Sequence, residues 1–163
     1  MAAGSTYTPI ATTTFSGSAT SYTFSSIPST YTDLVLVCNI FNSSSANTYV
    51  RFNGDSGTNY SRTQLSGNGT SATSGRVTST NAGYIDAVPT QTPQENIIVS
   101  FQNYSNTTTY KTYLARSNNA STGVQAAVGL WQNTAAINTI LISCDSGTMT
   151  SGTTLTLYGI SAA

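Results

Sequence analysis

Asp33, Asp55, Asp86, Glu95 and Asp145 are the only acids of the chain, and a pair of carboxylates is what a glycosidase uses as general acid and base. No spacing motif marks out such a pair. The chain has no histidine, which removes the commonest general base, the Ser-His and Cys-His nucleophile pairs, and most zinc and haem sites. Serine is abundant, but a G-x-S-x-G elbow would have no histidine to work with, and Lys111 is the single lysine available to a Ser-Lys arrangement. These residue types point away from an enzyme and call for no cofactor.

Three other features could carry binding chemistry. In NGDSGTN, Asn53, Asp55 and Asn59 place oxygen ligands around glycines, as a hard cation would want, but the bidentate Glu of such loops is missing, so a glycine-rich turn is expected and no metal. Cys38 and Cys144 each close an apolar run, LVLVCNI and TILISCD, and read as buried reduced thiols rather than a disulfide. Trp131 is the only tryptophan. With Gln132 and Asn133 beside it, it could form an aromatic platform with amide hydrogen bonds for a glycan, with Tyr60 or Tyr104 as further loop aromatics. The competing role for Trp131 is to cover a sheet edge or a subunit interface.

Charge narrows the partners. Only 6% of residues are charged, five basic against five acidic, for a formal net charge of zero. Nucleic acid and anionic membranes both demand clustered positive charge, so neither is expected. The start, Met1 to Tyr7, lacks the basic and apolar regions of a secretory signal, and no run approaches the roughly 20 apolar residues of a spanning helix.

The elements that must position these residues are strands. Val50 with Phe52, Ile97 with Val99 and Phe101, and Val124 with Ala126, Val128 and Leu130 repeat at period two, as do Tyr22 with Phe24 and Leu155 with Leu157. LVLVCNI and INTILISC are more continuously apolar and fit central strands, with Leu34 to Val37 and Ile140 to Ile142 forming core. Turn signals such as Asn53-Gly54, Pro89 to Pro93, Asn103 to Asn106 and Asp145-Ser146-Gly147 punctuate the runs. Roughly eight to eleven short strands in this pattern give an all-β fold, an antiparallel β-sandwich of jelly-roll or Greek-key type. One domain is expected over 15–163, with residues 1–14 as an N-terminal arm or edge strand. The stretch 66–80 has no apolar period and reads as a long exposed loop.

The segments IPSTYTDLVL at 27–36, RFNGDSGTNY at 51–60 and the closing LYGI at 157–160 resemble a group of small virion structural proteins of tailed bacteriophages, notably those infecting cyanobacteria and other aquatic bacteria. That resemblance implies a capsid decoration (cement) protein on the virion surface, assembled in the host cytoplasm, or a tail-fibre or spike module that recognises glycan. In the first case the chain would be a homo-oligomer, expected to be a trimer, bridging major capsid protein subunits, with Tyr7, Pro9 and Ile10 reaching a neighbour. Uncharged polar side chains suit such contacts, because burying them costs less than burying ions.

Overall fold

Asp33–Ile40 (β3) shows why this chain forms a sandwich: Leu34, Leu36, Cys38 and Ile40 are buried on one face, while Val35 and Val37 turn outward. The structure, a computed structural model, describes residues 6–86, 94–119 and 122–161. Twelve strands are present among these residues, and no helix. The others are Tyr7–Thr14 (β1), Ser21–Phe24 (β2), Thr48–Phe52 (β4), Tyr60–Gly67 (β5), Ala72–Thr80 (β6), Gly83–Tyr84 (β7), Glu95–Phe101 (β8), Lys111–Asn119 (β9), Gly123–Trp131 (β10), Ile140–Cys144 (β11) and Thr154–Ile160 (β12).

Two antiparallel sheets pack face to face, an eight-stranded one in the order β1-β12-β3-β8-β9-β10-β5-β6 and a four-stranded one in the order β2-β11-β4-β7. The all-β sandwich expected from the period-two runs is therefore the fold. Its core lies between the sheets, where Phe52 is a hub: its ring centroid is 5.3 Å from Trp131, 5.5 Å from Phe101, 6.0 Å from Tyr60 and 6.2 Å from Tyr113. Mutually tilted or T-shaped rings at these separations add to the burial energy of each. On β10, Gly129 makes room for this cluster, since a Cβ there would fall 1.8 Å from the Tyr113 ring.

Two expectations change. Residues 66–80 are not a long loop: they form the end of β5, a short turn and β6, paired antiparallel. β6 is an edge strand exposed along nearly its whole length, so neither face is packed and no apolar period arises. Val37 is not core but outward-facing and 36% exposed. Of the two forms expected for residues 1–14, arm or edge strand, Tyr7, Pro9 and Ile10 take the second: they lie in β1, the edge strand that pairs with β12. Tyr7 packs edge-on against Tyr158, Ile10 packs against the core, and Pro9 sits at the register shift, where a missing N–H is tolerated on an edge strand. Residues 1–5 and the turn signal at Pro89 to Pro93 lie outside the described residues.

Candidate functional site

The residues proposed to bind glycan are placed first by Trp131. It is fully buried, packed against Phe52 and Tyr60, and its indole N–H donates to Asp55 Oδ2 at 2.7 Å. It cannot serve as a sugar platform or an edge cover, because no face of the ring reaches the surface. Gln132 is exposed and donates its backbone N–H to Asn59, whereas the Asn133 side chain accepts from the Ala135 N–H at 2.9 Å and closes its own turn. Tyr60 and Tyr104 are buried too; their hydroxyls donate to the carbonyls of Asp55 and Pro28. These aromatics are core, and the alternation that hid this is on β10, where Trp131, Gly129 and Ala127 face inward while Val124, Val128 and Leu130 face out.

The NGDSGTN loop is an internal fastening. Asn53 and Gly54 adopt φ of 52° and 72°, the left-handed region that Asn and Gly tolerate best, and the Asp55 N–H closes the turn on the Phe52 carbonyl at 2.9 Å. The Asp55 carboxylate accepts from Trp131 Nε1, from Asn59 Nδ2 at 2.9 Å and from the Gly57 N–H at 2.8 Å. Burial pushes its pKa up, but the Trp131, Asn59 and Gly57 donors outweigh that and hold the carboxyl below its ordinary value. Its oxygens are occupied by protein donors, as a structural acceptor's are.

A second polar cluster lies inside the sandwich and carried no signal in the sequence. Asp86 and Glu95 are 0% and 1% exposed. Ser117 Oγ donates to Asp86 Oδ1 at 2.8 Å, and Thr48 Oγ1 lies 3.5 Å from Glu95 Oε2 and 3.8 Å from Cys144 Sγ. Burial, then the hydrogen bond and charge of Asp86, push the Glu95 pKa up to about 10, with Thr48 opposing weakly, so Glu95 carries a proton at neutral pH and shares it with Asp86. Cys38 and Cys144 are both free and buried, and burial pushes both thiols up. Enclosed this way, the cluster has no access to a substrate. Lys111 is likewise buried, its ammonium donating to the carbonyls of Thr109 at 2.8 Å and Thr134 at 3.0 Å, and burial lowers its pKa.

The outer face of the eight-stranded sheet is open to a partner. Strand register aligns Ser74, Leu65, Ala126, Arg116, Ile98 and Val37 in one cross-strand row, with Arg76, Thr63, Val128, Leu114 and Ser100 in the next. Leu65, Val124, Val128 and Leu114 are 65%, 58%, 55% and 44% exposed. Between β6 and β8 this face is concave and forms an open groove of about 830 Å³, with Leu65, Ile98, Val124 and Ala126 as its apolar lining and Arg116, Asn96 and Asn118 among its polar groups. Among the described residues no aromatic side chain lines it. The arrangement offers an aliphatic surface with one guanidinium and flanking amides.

No family model matches the chain, and no curated protein matches it. Among solved structures it is similar to an exo-inulinase from Aspergillus awamori, with a TM-score of 0.47 and 13% identity, over 94% of this chain and 29% of that one. The chain spans less than a third of that enzyme's length, and a likeness of this degree carries no argument about activity.

Proposed function

We propose that this chain is a structural association protein that packs the outer face of its larger sheet against neighbouring protein subunits, and that its setting is a phage virion, as a capsid decoration protein bridging major capsid subunits. The observation that carries the association reading is the exposed aliphatic face: Leu65, Val124 and Val128, each more than half exposed, continue into Leu114 and Ile98 across adjacent strands. Contiguous apolar surface of this kind marks contact sites, whereas scattered apolar residues do not. The virion setting rests on the resemblance carried by IPSTYTDLVL, RFNGDSGTNY and LYGI. A formal net charge of zero agrees with it, since copies packed side by side on a shell do not repel one another.

The mechanism is noncovalent clamping: each copy spans a junction, so separating the subunits beneath it requires breaking its contacts as well as theirs. Self-association into a trimer belongs to the same proposal. The glycan-receptor reading finds no support in the site, because the tryptophan on which it depended is interior.

Quantitative mass spectrometry of purified particles tests the reading. A copy number equal to the major capsid subunit, or a simple fraction of it, is expected; a far smaller number places the protein in a tail or vertex and overturns the decoration role. Particle binding by Val124→Ser/Val128→Ser tests the surface, and binding equal to wild type removes the outer face from the proposal.

A further inference from the structure

The outer-face groove is selective in charge as well as apolar. Of the five cations, three are engaged inside or along the fold: Lys111 caps two carbonyls, Arg51 donates to the Asn81 carbonyl and lies over Tyr49, and Arg62 stacks over Tyr84. The other two, Arg76 and Arg116, are exposed and stand on the outer face in neighbouring cross-strand rows. Neither has a carboxylate partner among the described residues. The acids are all elsewhere: Asp86 and Glu95 lie inside, Asp55 is held by Trp131, and Asp33 and Asp145 accept the backbone N–H groups of Asn103 and Asn47. A chain of zero net charge therefore presents a locally positive, aliphatic trough.

We infer that the groove binds an extended polypeptide segment of a partner subunit whose groove-facing side chains, at every second residue, are aliphatic with one acidic residue set among them, an inference that rests on the association reading and specifies its ligand. An extended segment places alternate side chains on one face. On that face its aliphatic side chains cover Leu65, Val124 and Ile98, the one carboxylate among them takes the Arg116 guanidinium in a charge-assisted pair, and Asn96 and Asn118 supply amides to its backbone. The complement to an arginine set among apolar side chains is a carboxylate, because the two together lose less on leaving water than either does unpaired. A glycan fits less well, since sugars pack on aromatic rings and the groove has none.

The test uses the 15N-labelled full chain and an acetylated, amidated peptide, Val-Ser-Ile-Ser-Asp-Ser-Val, whose odd positions share one face, titrated against the amide counterpart Val-Ser-Ile-Ser-Asn-Ser-Val. Expected are amide shifts confined to β5, β6, β8, β9 and β10, affinity at least tenfold higher for the acidic peptide, and at least a tenfold loss in Arg116→Gln with little change in Lys111→Gln. Equal affinity for the two peptides, no binding at millimolar concentration, or unchanged affinity in Arg116→Gln overturns the inference, as does stronger binding of a polygalacturonate oligosaccharide at the same residues. If the peptide fails while Val124→Ser/Val128→Ser still loses particle binding, the ligand assignment falls and the association reading stands. If that double variant binds particles as wild type does, the reading itself falls.

Discussion

Trp131 Nε1 donates to Asp55 Oδ2 at 2.7 Å, tying the last residue of β10 in the larger sheet to the turn that leaves β4 in the smaller one. Asp55→Ala would leave a buried indole N–H without its acceptor and release Asn59 and the Gly57 N–H as well. Hydrogen bonds to a charged group contribute about 1.5–3 kcal/mol, and the orphaned donor adds its own penalty. A loss of about 2–4 kcal/mol in urea unfolding is expected.

The two perturbed carboxyls set opposite limbs of the stability profile. Asp55 titrates below its ordinary 3.8, so its contribution is present above that value and is lost as pH falls through the folded-state pKa. Glu95 titrates near 10 in place of 4.5. The unfolded chain releases that proton from about pH 4.5 while the folded protein keeps it, so stability declines as pH rises from there toward 10. Glu95→Gln mimics the protonated acid and flattens the alkaline limb. Thermal melts should show the variant more stable than wild type at pH 9 and close to it at pH 4; a parallel decline in both would show that Glu95 does not control that limb.

Gly129 is fixed by the ring above it. A methyl at this position meets Tyr113 Cζ at 1.8 Å, and Tyr113 is itself buried in the aromatic cluster. Gly129→Ala should cost about 1–3 kcal/mol as overpacking. Combining it with Tyr113→Leu should cost less than the sum of the two single changes, because neighbours that share one space are not additive.

Inner and outer faces of the larger sheet should respond differently to the same chemistry. Val128→Thr and Leu65→Thr replace exposed side chains and should leave unfolding free energy within about 0.5 kcal/mol of wild type. Leu36→Ala, on the inner face of β3 at 0% exposure, should cost about 2–5 kcal/mol. Only the outer-face pair should reduce association, as measured by sedimentation.

The sequence makes strands legible through period two, and Val50, Phe52, Ile97, Val99 and Phe101 fall inside as the pattern implies. On β10 the same pattern misleads. Alternation reports that a strand has two faces, and hydrophobicity identifies the inner one only if the outer one is polar. Here the outer face is Val124, Val128 and Leu130, while the inner face mixes Gln125, Ala127, Gly129 and Trp131. β6 is illegible for the reverse reason: an edge strand uncovered on both faces needs no apolar residue at any regular interval. The Asp86–Glu95 cluster gathers residues from β4, β8, β9 and β11, and residue spacing along the chain contains none of that proximity. Asn53-Gly54 was readable as a turn because its φ requirement is local.

The interior position of Trp131 makes the protein its own optical gauge of folding. It is the single indole in the chain, it sits at 0% exposure between Phe52 and Tyr60, and no described residue lining the outer-face groove carries an aromatic ring. Its emission should be blue-shifted in the native state and move to the red when the sheets separate. A ligand seated on the far side of the larger sheet should leave that emission unchanged, so a single fluorescence trace distinguishes loss of the sandwich from occupancy of its surface.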